Sequence, residues 1–250
     1  MRTRHYLLIA TLTAIPTQLL LAGDPTTDSP AATKTVTSDP TDPEGDFKFS
    51  LSAGYESRHI YRGADSSLGA ANLWQGIDVD YKDFFHFNLY HGSGLGSKYE
   101  ELTPSAYIHH DFGPVDAAFG VIWYHFPDYH SSDSVEYYLR FSHDFKNGIG
   151  TWLHVGYNQD ADGYYEEFGV KYTKDITDKL SISPYTAIAF SQHYRGTGDD
   201  GLDQITVGLN APYKITPRLT ATPAVGLALP MDTFDGDKEL WGAFTLSFKF

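Results

Sequence analysis

Ser57, His59 and Gln75 are the residues whose types and spacing come nearest to covalent chemistry. Ser57 and His59 are two apart, so on an extended segment both side chains leave the same face. If the connection that follows is symmetric, Gln75 lies across from Ser57. A hydroxyl, a base to activate it and a neighbouring amide suit ester hydrolysis. The bland alternative is a polar cluster at a strand end, and no donor set that would hold an acyl oxyanion is visible. We read the chain as not an enzyme, with a Ser/His esterase as the alternative. Metal chemistry has less support. His109 and His110 are neighbours and face opposite sides of a strand. Asp160-x-Asp162-Gly163 and Asp235-Gly236-Asp237 lack the ligand spacing of a calcium loop and read as turns. There is no cysteine, so neither a disulfide nor a thiolate site is available. No phosphate-binding glycine loop appears. No cofactor or metal is expected.

Charge offers a second kind of chemistry. Lys48, Arg58, Arg62, Arg140, Lys171 and Lys249 occupy the polar phase of alternating segments, as do Glu56, Asp78, Asp80, Asp116, Glu136 and Glu167. Inside a narrow enclosure of low effective dielectric such charges pair. They then act either as structural filling or as a ladder that steers a solute. A further set of acids lies between the alternating segments: Asp160, Asp162, Asp199, Asp200, Asp203, Asp232, Asp235 and Asp237. Only Arg62, Lys98, Arg195 and Lys238 oppose them there. Their field would concentrate cations at low salt. The formal net charge of -14 argues against nucleic acid as a partner.

The elements that must hold these charges are strands. From Leu240 to Phe250 every even position is apolar or Gly, while Thr245, Ser247 and Lys249 lie between them. A period of two puts the sets on opposite faces. About ten such residues let one tilted strand cross a bilayer. The pattern recurs over 47–61, 71–81, 85–90, 102–109, 115–123, 135–142, 149–158, 167–173, 180–190, 205–213 and 219–229. With the last segment this predicts an all-β, up-and-down antiparallel transmembrane barrel of twelve strands, an even number as single-chain barrels require. Connections read alternately as short and long, which predicts short periplasmic turns and longer extracellular loops. Pro104, Pro184, Pro212 and Pro223 fall inside proposed strands and each removes a ladder donor. The mean hydropathy of -0.33 excludes a helical membrane protein but not a barrel, which shows lipid only half of each strand.

Residues 1–22 open on Arg2, Arg4 and His5, run through an apolar stretch and end on small residues, as an export signal does. Residues 23–46 are rich in Thr, Pro, Asp and Ala and are expected to form a disordered periplasmic linker. Residues 47–250 are expected to form the barrel.

Three resemblances extend this reading. A final strand ending on Phe250 resembles the closing strand of bacterial outer-membrane barrels, which implies an assembly signal read by the barrel-assembly machinery. Ser57, Tyr61, Arg62 and Gly63, followed by Leu73-Trp74-Gln75-Gly76, resemble the opening hairpin of the TorF-type porin family, although His59 stands where that family has an aromatic. That implies an outer-membrane channel for small polar solutes, with a cation bias if the acidic loops set it. The alternative is a closed structural or adhesive barrel that binds a partner through those loops. The Ser/His/amide set loosely resembles an outer-membrane phospholipase site in reversed order, and implies no more than the esterase alternative.

Overall fold

The computed structural model describes residues 46–82, 84–127, 133–195, 200–233 and 236–250. The predicted export signal and nearly all of the linker lie outside them, as do Asp199 and Asp235. The strands are β1 (Phe47–Glu56), β2 (Ile60–Tyr61), β3 (Ala64–Asp65), β4 (Ala71–Tyr81), β5 (Phe85–Leu95), β6 (Glu100–Asp111), β7 (Asp116–Tyr124) and β8 (Ser134–Asp144). They continue as β9 (Ile149–Asn158), β10 (Gly163–Tyr172), β11 (Lys174–Asp175), β12 (Ser181–Gln192), β13 (Gly201–Asn210), β14 (Tyr213–Lys214), β15 (Leu219–Pro230) and β16 (Glu239–Lys249).

Twelve of these are long, and each pairs antiparallel with the next long strand in the chain. The sheet closes on itself because β16 pairs β1, from Ser50↔Lys249 to Glu56↔Ala243. Closure leaves no unpaired edge, as a bilayer demands. Alternation sets the two faces. Phe49, Leu51, Tyr55, Ile77, Phe119, Leu139, Phe168 and Phe244 point outward and are exposed. Ser52, Asn72, Glu136, His154 and Gln204 point inward. An apolar outside around a polar inside is the inversion that lipid selects.

Three expectations need correction. The first segment does not run to Tyr61 as one strand: β1 leaves the barrel wall after Glu56, and the small hairpin of β2 and β3 follows. Connection lengths do not alternate cleanly, because β5 reaches Leu95 and leaves only residues 96–99 before β6. At the opposite end residues 173–180 and 211–218 are longer than short turns and carry β11 and β14. Pro212 lies between β13 and β14, outside any strand. Pro104 stays within β6, and its missing N–H has a visible cost. The ladder from β6 to β7 is continuous only from Ser105↔Ile122, with a lone bridge Leu102↔His125 beyond it.

Candidate functional site: a plugged lumen above an aromatic vestibule

The connection from Ser57 to Ala70 folds into the mouth of the barrel. Left-handed backbone at Arg62 (φ 46) and Gly63 (φ 80) turns the β2–β3 hairpin tightly. Asp65 braces its return: Oδ1 accepts from the Ser67 N–H at 3.0 Å and the Ser67 hydroxyl at 2.7 Å, and Oδ2 accepts from the Gly69 N–H at 2.9 Å. The Ser67 Oγ accepts the His59 N–H at 2.9 Å. The segment is therefore a preformed insert.

Arg62 is the centre of that insert and is 5% exposed. Its guanidinium meets Glu136 of β8 in a two-pronged pair, Nη1 to Oε2 at 2.7 Å and Nη2 to Oε1 at 2.6 Å. Paired planar forks of this kind are the stronger charge-assisted bonds. It also donates to the Tyr194 hydroxyl and lies over the Tyr165 ring, 4.1 Å from the centroid. Burial works against its charge, but Glu136 more than offsets that and holds the guanidinium more firmly protonated than in water. Burial also pushes the Tyr194 hydroxyl up, so it stays neutral.

A second anchor sits beside the first. His59 Nδ1 lies 2.7 Å from Glu56 Oε2, and its ring stacks between Tyr90 and Tyr99 at 5.8 and 5.5 Å. Tyr61 shares a 2.6 Å hydroxyl contact with Tyr124. Tyr61, Tyr99 and Tyr124, together with Ile122, Phe126, Tyr138 and Tyr165, form a buried cluster at the loop end of the lumen. Tyr61 is thus a plug residue.

The esterase arrangement does not form. Ser57 is exposed, and its Oγ accepts the Gly242 N–H at 2.9 Å. His59 is buried and directed at Glu56. Gln75 is exposed on the outer face, near His91. The chain turns inward between Ser57 and His59, so equal spacing no longer means a shared face.

The predicted interior charges divide into groups. Arg62 and Glu136 make the central pair. Glu56 faces His59 and accepts from Asn72 at 3.3 Å. Near the turn end, Asp78 accepts from Ser50 and Asn88, and Asp80 lies 2.7 Å from His86. Lys48 stands opposite Asp80 in register, and Asp116 lies 3.2 Å from His109. Glu167 accepts from the Trp152 indole at 2.8 Å, and Lys171 pairs with Asp144 at 3.3 Å. Arg140 lines the open part of the lumen, while Lys249 is exposed at the turn-end rim. Arg58 does not point into the lumen: it lies past the end of β1 and pairs with Glu239.

Among the predicted loop acids, Asp160, Asp162, Asp200, Asp232 and Asp237 are exposed around the loop end. Asp203 is not a loop residue. It is fully buried in β13 and accepts from Arg195, 3.0 Å from Nη2. Arg195 also donates to the Arg62 carbonyl, so Asp203 helps hold the plug.

Below the plug lies a cavity of about 150 Å3. Trp74, Trp152, Trp241 and Tyr185 line it together with Ser, Thr and Asn side chains. These aromatics did not stand out as site residues in the sequence. Their inward phase was the available signal, since Trp152 shares it with His154, and Trp241 with Thr245.

Comparison with known proteins adds the fold context. The KdgM porin in complex with disordered oligogalacturonate is similar at 12% identity, covering 80% of this chain and 99% of that one, with a TM-score of 0.58. The NanC porin is similar at 10% identity over 81% of this chain and 98% of that chain, with a TM-score of 0.55. An outer membrane channel from Pseudomonas putida F1 is similar at 11% identity over 85% and 99%, with a TM-score of 0.51. No family model and no curated protein matches the chain. What these likenesses share with this chain is the fold, which here is a closed, twelve-stranded antiparallel barrel.

Proposed function

We propose that the protein is a gated, porin-like channel of the bacterial outer membrane for small polar solutes. The observation that carries this is a partly polar cavity beneath an inserted chain segment within one closed barrel. The plug is a single chain segment, held by ion pairs, hydrogen bonds and ring contacts rather than by ladder pairing with the wall, so it can withdraw while the barrel stays closed. The likeness of the opening hairpin to the TorF-type porin family points the same way. In planar bilayers the folded chain should sit mostly closed and open in discrete steps. Absence of conductance both in the wild type and in a variant with residues 58–69 replaced by a short Gly/Ser turn would refute the channel.

A cation preference belongs to the same proposal. Asp160, Asp162, Asp200, Asp232 and Asp237 surround the loop end, against the exposed bases Lys98 and Lys238 and the half-buried Arg58, which pairs with Glu239. The reversal potential in a salt gradient should show cations favoured at ~0.01 M ionic strength and the preference largely lost at ~1 M, where the Debye length falls from about 30 to about 3 Å. An anion preference at low salt would overturn it.

The final strand supports a further part of this reading, that Phe250 contributes an assembly signal. The Phe250 N–H donates to the Phe49 carbonyl at 3.0 Å, so its backbone belongs to the closing seam while its ring is exposed. Phe250→Ala should lower the amount of folded barrel recovered from outer membranes but leave refolding in detergent unchanged. An equal loss in both settings would show a structural role alone.

A further inference from the structure

Tryptophan in a membrane barrel is expected at the lipid interfaces. Here Trp123 is exposed on the outer face, whereas Trp74, Trp152 and Trp241 face the cavity. Each of the three stands directly across from a glycine of the adjacent strand: Trp74↔Gly54, Trp152↔Gly169 and Trp241↔Gly226. Tyr185 repeats the arrangement with Gly208. A Cβ built on any of these glycines would overlap the aromatic ring. The rings therefore lie flat along the wall, in space that only glycine leaves open. Trp152 is also fixed at its edge, because its Nε1 donates to Glu167.

A ring lying flat against a wall turns its other face to the cavity. Four such platforms, held in place before any solute arrives, are not needed for inert passage. Glycine within strands also weakens them, so the arrangement has a backbone cost. Between the platforms the wall offers hydroxyls and amides, such as Thr151, Thr245 and Asn210. The charged groups balance, with Arg140 and Lys171 against Glu56 and Asp144.

We propose that this vestibule binds a short neutral saccharide. The ring face of an aromatic is electron-rich and attracts polarised C–H groups. A sugar ring presents C–H groups on its faces and hydroxyls around its edge, which matches aromatic platforms separated by hydroxyl and amide partners. Balanced charge favours a neutral ligand over an acidic or basic one. The cavity has room for roughly ten waters at one probe sphere each, the displacement of a small saccharide. As a stop on a solute path the inference rests on the channel reading, but binding is measurable without transport.

The test is calorimetric titration of the detergent-folded full chain with maltotriose and with cellotriose. Saturable binding of at least one is expected. Trp152→Ala should weaken it by about tenfold, and Trp152→Phe should keep most of it. Trp123→Ala, on the outer face, should leave it unchanged. Folding of each variant is verified by heat-modifiable migration on gels. No saturable heat with either sugar, binding unaffected by Trp152→Ala, or binding of adenosine in place of both sugars would each overturn the proposal. Sugar binding with no conductance in either the wild type or the variant with residues 58–69 replaced would uphold the site and refute the channel, whereas conductance without sugar binding would do the reverse.

Discussion

Arg62→Ala should cost about 3–5 kcal/mol of unfolding stability, the range for breaking a buried ion pair from one side, and should convert rare openings into a mostly open state. The reason lies in what the variant leaves behind. Glu136 is fully buried, and both of its carboxylate oxygens accept from Arg62. Without the guanidinium that charge is left with the weaker contact to His154 Nε2 at 3.4 Å. Water must enter to solvate it, and the route for water is the route for solute. Tyr194 and Tyr165 lose the same partner, so the cluster loosens on two sides at once. Glu136→Gln added to Arg62→Ala should recover a large part of the stability, since a neutral amide is cheaper to bury than a lone carboxylate. The open state should persist in that double variant, because the insert still lacks its anchor. Urea midpoints in detergent and single-channel open probability read the two effects separately. Stability falling by less than ~1 kcal/mol with open probability unchanged would show that Arg62 neither holds the plug nor controls the lumen.

Gly169→Ala should produce the second large effect, a loss of about 1–3 kcal/mol from overpacking. The new methyl would occupy the place of the Trp152 ring. That ring must then swing off the wall, lose its bond to Glu167 and narrow the cavity. Trp fluorescence and single-channel current should both change. Gly242→Ala is the internal control: its Cβ would meet only the Ala224 carbonyl oxygen at 3.9 Å, an ordinary contact. It should be neutral or slightly stabilising. Combining Gly169→Ala with Trp152→Ala should cost less than the sum of the two, because the clash disappears with the ring. Equal effects of Gly169→Ala and Gly242→Ala would mean that the flat ring does not depend on the glycine beneath it.

Much of the barrel was legible in the chain. A strand has a period of two wherever lipid lies on one side and a polar lumen on the other, so Phe49, Leu51 and Tyr55 separate from Ser50, Ser52 and Glu56 without knowledge of any neighbour. The same argument reaches β8 and β16, and in β9 it assigns Trp152 and His154 to the inside. The failures begin where that local constraint ends. Past Ser57, which still bonds Gly242 of β16, the alternation continues on paper to His59 and Tyr61, but no adjacent barrel strand holds those two residues to the wall, and their side chains obey contacts made far away.

Spacing and alternation by themselves determined the strand count, the faces of the strands and the antiparallel closure, because burial against lipid is a local, repeating demand. The tertiary structure alone decided that Arg62 meets Glu136 and Tyr194, 74 and 132 residues away, and so anchors the insert in the barrel mouth. It also decided which glycine lies beneath which tryptophan. That depends on register between strands, and register is a relation between two segments that neither carries alone.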